Sequence, residues 1–265
     1  MSNSDLWIRD MFTNYGILAL LFTIMVIWMA QQWSYLQKHI YKAYLTGFEK
    51  EWAELALPYR KRLFAVLQNA ISNDERLRSM GCIRVLEIGV KTGENIQFYP
   101  SNTRLITVDR NLRLAEYLIK GRHSWQFSHV TIERAIVGDG SSLKDVPTGY
   151  IDVVVTMRSL CSVKSVQSTL REIHRVLAPG GHYLFIEHVP ETEGTFVRRL
   201  QKLLSQTKIW SALFGGCRLN ANPMKHIRKI GFASITCDTF ILDGYVTQHF
   251  HLVLSRKHVL GIAIR

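Results

Sequence analysis

The 265-residue sequence predicts an α/β fold: a mostly parallel, seven-stranded sheet with helices on both faces, preceded by an N-terminal hydrophobic helix. Three observations predict it. From Gly81 onward, short apolar runs alternate with helix-like patterns, as strand–helix–strand units require. Those runs are apolar at consecutive positions, as in IDVVVTM (Ile151–Met157), so both strand faces are buried and the sheet is parallel. Ahead of them, Met11–Gln37 holds no charged residue and Gly16–Ala30 is almost continuously apolar.

The N-terminal stretch is read as a membrane anchor over residues 1–38. At a rise of about 1.5 Å per residue, about 20 apolar residues cross the hydrocarbon core. Trp28, Trp33 and Tyr35 lie near one end, where amphipathic aromatics favour the interface. A cleaved signal peptide fits less well. Asp5 and Asp10 outweigh Arg9, and no small-x-small cleavage site follows Ala30. Lys38 and Lys42, then Arg60, Lys61 and Arg62, follow the segment, which places that side in the cytosol by the positive-inside tendency. Asn14 and Tyr15 interrupt the early half, so a spanning helix, a hairpin and a tilted interfacial helix all stay open.

Residues 39–80 read as an amphipathic helical connection, and residues 81–265 as the α/β domain. Five strands are expected at Arg84–Val90, Arg104–Asp109, Val130–Val137, Ile151–Met157 and His182–Val189. A helix over Lys164–Leu177 carries Val166, Leu170, Ile173 and Leu177 as one apolar stripe. Asn222-Pro223 opens a short helix that Gly231 ends. Two further strands follow around Ser234–Ile241 and Val259–Ile264.

Ligands of such sheets bind at the carboxyl ends of the strands, and three motifs fall there. Glu87-Ile88-Gly89-Val90-Lys91-Thr92-Gly93 closes the first strand and opens a helix, whose N-terminus would offer free N–H groups. Asp109 ends the second strand about 20 residues on, where an acidic side chain can accept both ribose hydroxyls of an adenosine. Gly138-Asp139 follows the third strand, where a carboxylate could meet an adenine amino group. Each has a plainer alternative: a packing turn, a cap for a helix over Asn111–Lys120, and a solvated turn. These parts could hold NAD as well as S-adenosylmethionine. Only Gly89 and Gly93 remain of a dinucleotide fingerprint, and the Leu177-Ala178-Pro179-Gly180-Gly181 stretch tips the choice to S-adenosylmethionine.

With these residues in place, the chain resembles class I methyltransferases. It looks closest to the membrane-anchored methyltransferase-like proteins of the endoplasmic reticulum and lipid droplets, some of which methylate alkyl thiols. GENIQFYP (Gly93–Pro100), LCSVK (Leu160–Lys164), REIHRVLAPGG (Arg171–Gly181), IEHV (Ile186–Val189), LFGGCRLN (Leu213–Asn220) and HVLGIAIR (His258–Arg265) carry the resemblance. It implies a Rossmann-like methyltransferase domain over 81–265, S-adenosylmethionine as cofactor, and a small lipophilic acceptor as substrate. Glu87, Gly89, Lys91, Gly93, Asp109, Gly138 and Asp139 would bind the cofactor. Two departures stand out. Val90-Lys91 replace a Cys-Gly pair in the loop, and Arg158-Ser159 stand where the family is apolar. Lys91 motivates an alternative: a catalytically impaired membrane or lipid-droplet protein that keeps the fold.

His188, at the end of the fifth strand, is the candidate base or polar orienter; a histidine hydrogen-bonded beneath the pocket is the competing reading. The formal charge is +12, and Arg198–Lys229 holds eight Lys or Arg and no Asp or Glu. Interleaved apolar residues make helix 196–214 suit a membrane surface or a cap over the site, with Trp210 and Phe214 at the substrate mouth or in packing. No aromatic-basic RNA module is evident, so nucleic acid is not an expected partner. Cys82, Cys161, Cys217 and Cys237 form no CxxC pair. Reduced thiols are therefore expected, with no zinc site, and Cys161 and Cys217 as small buried apolar residues.

Overall fold

The computed structural model describes residues 3–110 and 128–265; the helix expected at Asn111–Lys120 lies outside them. The chain begins with one uninterrupted helix, α1 (Asn3–Thr46). Asn14 and Tyr15 are absorbed into it, so the hairpin is ruled out. Its apolar stretch is long enough to cross a membrane and none of it is buried in the protein. Phe22 is 64% exposed and Trp28 60%.

Residues that follow α1 turn back onto the sheet as α2 (Phe48–Leu55), α3 (Leu57–Phe64), a 3-10 turn (Ala65–Asn69) and α4 (Glu75–Ser79). Phe48, Trp52, Leu63, Phe64 and Leu67 are buried there and share one core with Val85, Val153 and Leu184 from the strands. On the fully buried side chains this is worth roughly 1.5–3 kcal/mol each. Asp74 caps α4 by accepting from the Arg76 and Leu77 amides.

The sheet has seven strands in the order β3-β2-β1-β4-β5-β7-β6. These are β1 (Ile83–Ile88), β2 (Thr103–Asp109), β3 (Val130–Val137), β4 (Ile151–Met157), β5 (Leu177–His188), β6 (Ser234–Ile241) and β7 (Lys257–Ile264). Strands β1 to β5 run parallel, and β7 lies antiparallel between β5 and β6. Strand order reverses between β1 and β4, which makes their carboxyl ends the switch point where a ligand cleft opens. The LAPGG run is the first part of β5 rather than a turn before it. Helix α5 (Val166–Val176) starts at a Ser165 cap and buries Leu170, Ile173 and Val176 on the face opposite α2 and α3. Both faces are thus covered, as the apolar strands foretold.

Two expectations need correction. No α-helix follows β1; the connection holds only a 3-10 turn at Ile96–Phe98. Lys91 at φ 55° and Gly93 at φ 81° are both left-handed, and such residues stop a right-handed helix from nucleating. The basic segment 196–214 is two helices, α6 (Phe196–Gln206) and α7 (Ile209–Leu213). Lys208, at φ 58°, breaks it. A short α8 (Met224–Ile227) and α9 (His249–Ser255) complete the elements described.

Candidate active site

A cleft of about 310 Å³ lies at the carboxyl ends of β1 to β4, and Gly89, Lys91, Asp109, Gly138 and Asp139 all line it. The chain leaves β1 at Gly89, whose amide donates to the Val108 carbonyl at 2.7 Å. Gly89 has φ 76°, and a Cβ there would sit 2.3 Å from Ser159 Oγ. Only glycine fits, and its bare backbone faces the cleft. The next turn is fixed by Asp109, whose carboxylate accepts the Lys91 amide at 3.1 Å. Asp139 accepts from the Ser141 amide and hydroxyl and from the Lys164 amide. Three donors hold its turn and leave little acceptor capacity for a ligand.

Lys91 does not project freely into the cofactor space. Its Nζ meets Glu49 Oε2 at 2.8 Å, and Glu49 Oε1 accepts from Arg158 Nε at 3.3 Å. The Tyr44 hydroxyl also donates to Glu49. Burial alone would raise the Glu49 carboxyl, but Lys91 and Arg158, aided by those hydrogen bonds, hold it down at about 2. Arg158 is buried at φ 49°. It also reaches Ser255, His258 and the Tyr44 hydroxyl, and its guanidinium lies over Phe48 and Trp52. Both sequence departures, Lys91 and Arg158, are therefore tied to one carboxylate on α2.

Three residues singled out in the sequence stand behind the cleft. Glu87 is fully buried and accepts from Asn95 Nδ2 at 2.6 Å and from the Tyr99 hydroxyl. Burial pushes its carboxyl up to about 7, those hydrogen bonds notwithstanding. Gly93 turns the loop without lining the cleft. His188 is fully buried, with Nε2 3.4 Å from Cys217 Sγ. That is the placement of a histidine beneath a pocket. Trp210 is buried as packing against Phe214 and His251.

Sequence reasoning missed Tyr41, Arg110, Ser162 and Gly215, which also line the cleft. Tyr41 lies 42 residues ahead of Ile83, where the first strand begins; in space a Cβ on Gly215 would sit 2.5 Å from its ring. No local pattern marks Tyr41. Ser162 and Gly215 lay within LCSVK and LFGGCRLN, segments notable for resemblance but without an assigned role.

Strand ends, a glycine loop and an acidic residue at the end of β2 fit a class I, S-adenosylmethionine-dependent methyltransferase, and the family comparison shows that class: a methyltransferase domain matches residues 86–185. The chain is 32% identical over 237 residues to thiol S-methyltransferase TMT1A of Homo sapiens, covering 88% of this chain and 89% of the relative. It is 37% identical over 183 residues to thiol S-methyltransferase TMT1B of Rattus norvegicus, covering 69% and 71%. The chain belongs to this thiol S-methyltransferase family. Among solved structures, geranyl diphosphate C-methyltransferase from Streptomyces coelicolor A3(2), in complex with Mg2+, geranyl diphosphate and S-adenosyl-L-homocysteine, shares the fold. Its TM-score is 0.53 at 12% identity, over 78% of this chain and 79% of that one. The cofactor is S-adenosylmethionine, and the residues present fit it: the Gly89 backbone is open to close approach and Lys91 is drawn aside by Glu49. The alternative of an impaired protein, which rested on Lys91, is not favoured.

Proposed function

We propose that the protein transfers the methyl group of S-adenosylmethionine to the sulfur of a small lipophilic thiol that reaches the cleft from a membrane. The observation that carries this reading is the sharing of one helix. Tyr41, a wall of the cleft, continues the same α1 whose uncharged stretch Met11–Gln37 stands exposed. The human and rat relatives are thiol S-methyltransferases, which supports the thiol.

In this reading Asp109 accepts the ribose hydroxyls, Gly89 lets the methionyl part approach the backbone, and Gly138-Asp139 border the adenine. The acceptor thiolate attacks the methyl carbon in line. A carbon–sulfur bond forms as the sulfonium carbon–sulfur bond breaks, giving the methyl thioether and S-adenosylhomocysteine, and the thiol proton leaves to solvent. The chain's own contribution is positioning, worth about 7–11 kcal/mol when reacting atoms are held in attack geometry. His188, buried against Cys217, is not assigned the proton transfer.

The domain faces the cytosol, on endoplasmic reticulum or lipid-droplet membrane. The apolar Phe196, Leu203 and Ile209 of α6 and α7 are exposed beside the basic Arg199, Lys202 and Lys208, a composition that suits an anionic surface. Gln37 Nε2 donates to the Ala212 carbonyl at 3.2 Å, which sets α7 against the end of the anchor stretch.

The test uses the full chain in lipid nanodiscs. Calorimetry should give a micromolar Kd for S-adenosylmethionine, and a long-chain alkyl thiol should be methylated while the matching alcohol is not. Cofactor binding with no thiol turnover overturns the substrate; absence of cofactor binding overturns the whole reading.

A further inference from the structure

From sequence, Cys161 and Cys217 read as small buried apolar residues and His188 as a candidate base, with no CxxC pair to mark a zinc site. Folding brings them together. Cys161 follows β4, His188 ends β5, and Cys217 lies in the segment after α7. Their ligand atoms all lie within 4.8 Å of one another, and all three residues are buried. Cys217 Sγ is 3.4 Å from His188 Nε2. A tetrahedral ion with metal–sulfur bonds of about 2.3 Å and metal–nitrogen bonds of about 2.0–2.1 Å holds its ligand atoms about 3.5–3.8 Å apart. The Cys217–His188 pair already stands near that spacing, and no pair lies beyond 4.8 Å.

Its surroundings are apolar: Trp210, Leu219 and Leu254 pack around the two thiols. His188 Nδ1 is buried there with no hydrogen-bond partner among the described residues. Thiols are weak donors and acceptors, so neutral hydrogen bonding leaves this cluster under-satisfied.

We propose that Cys161, His188 and Cys217 form a binding site for a thiophilic d10 cation, zinc(II), at the carboxyl ends of β4 and β5. Two thiolates and a neutral imidazole cancel the charge of a divalent ion, which is what an apolar site tolerates. Copper(I) with the same ligands would leave a net negative charge. Three protein donors leave the fourth tetrahedral position to a donor from outside the triad. The ion fastens the segment carrying Cys217 to the sheet. That segment already bonds to the Cys161 carbonyl through the Arg218 amide and Nε, each at 3.1 Å. It also presents Gly215 to the cleft. Metal binding thus fixes one wall of the cleft.

The experiment takes the full chain, purified in detergent under reducing conditions, stripped with a chelator and titrated with zinc against a chromophoric competitor. One zinc per chain is expected, with a rise in the unfolding temperature. Cobalt(II) in its place should give strong sulfur-to-cobalt charge-transfer absorption. C161S and C217S should lose this uptake, while C82S and C237S keep it. The cobalt spectrum of the unmodified chain decides the matter even where a variant fails to fold. No uptake, or a cobalt adduct without thiolate absorption, overturns the proposal. Uptake undiminished in the C161S/C217S double variant does the same. So does recovery of Cys161 joined to Cys217 as a disulfide from cells alkylated at lysis.

Discussion

On one side of the cleft, Gly89, Asp109 and Gly138 each sit at the end of their own strand; on the other, Tyr41 comes from α1, and Arg158, though it follows β4, leans on Glu49 of α2. The first wall is set by the sheet. The second is assembled across long stretches of chain: Glu49 and Arg158 are 109 residues apart, Tyr44 and Arg158 114. Buried carboxylates make the same contrast. Glu49 is in direct ion pairs with two cations and stays charged, at about 2, whereas Glu87 hydrogen-bonds only neutral Asn95 and Tyr99, feels Arg60 without a direct ion pair, and is raised by burial to about 7. Partner charge, more than depth, decides which carboxylate ionises.

The largest effect is expected where the second wall depends on charge. In Glu49→Gln, Lys91 and Arg158 lose their shared counter-ion, and Arg158 is left buried without it. Removing one partner of a buried pair costs about 3–5 kcal/mol, to be read by urea unfolding at pH 7. The pH profile sharpens the test. The Glu49 carboxyl is lowered from 4.5 to about 2 on folding, so its contribution is present above 4.5 and is lost as pH falls toward 2. Glu87 runs the other way: raised from 4.5 to about 7, its contribution is present below 4.5 and lost as pH rises through 7. Glu49→Gln should flatten the acid limb alone, and Glu87→Gln the limb between 4.5 and 7 alone. A cost under about 1 kcal/mol for Glu49→Gln would mean that packing, not charge, holds this wall.

Next comes the sheet-built wall. Asp109→Ala removes the proposed ribose acceptor and the partner of the Lys91 amide. Two hydrogen bonds to a charged acceptor, at about 1.5 kcal/mol or more each, come to about 100-fold in cofactor Kd. Calorimetry checks it. A change of less than threefold would place the ribose elsewhere.

How well each wall could be read from sequence follows from the same contrast. Strand ends are local: an apolar run, then glycine or an acidic residue, names Gly89 and Asp109 with no knowledge of the rest of the chain. The sheet was legible for that reason, including its last two strands around Ser234–Ile241 and Val259–Ile264, which β6 and β7 match closely; that β7 runs antiparallel was not. Lys91 and Arg158 stood as unexplained departures from the family pattern because their shared partner sits in the stretch 39–80, where nothing distinguishes Glu49 from Glu51 or Glu54. The missing helix after β1 was hidden too. Lys91 is not a residue expected at positive φ, and only the ion pair with Glu49 and the bond to Asp109 explain why it adopts one. The Cys161–His188–Cys217 cluster escaped because its three donors lie on separate segments.

The smallest effect separates the walls by function rather than stability. Tyr41 lines the cleft, and its hydroxyl is raised to about 12 by burial and by the nearby carboxylates Glu49 and Asp109. At neutral pH it is an uncharged ring, suited to an apolar acceptor and not to a proton transfer. Tyr41→Ala should therefore raise KM for a lipophilic thiol about fivefold, or about 1 kcal/mol of lost apolar contact. Cofactor Kd should change by less than twofold, because the strand-end residues are untouched. Tyr41→Phe keeps the ring and should restore KM to within twofold. If Tyr41→Ala instead weakened the cofactor as strongly as Asp109→Ala does, the two walls would not divide donor from acceptor, and α1 would belong to the cofactor site.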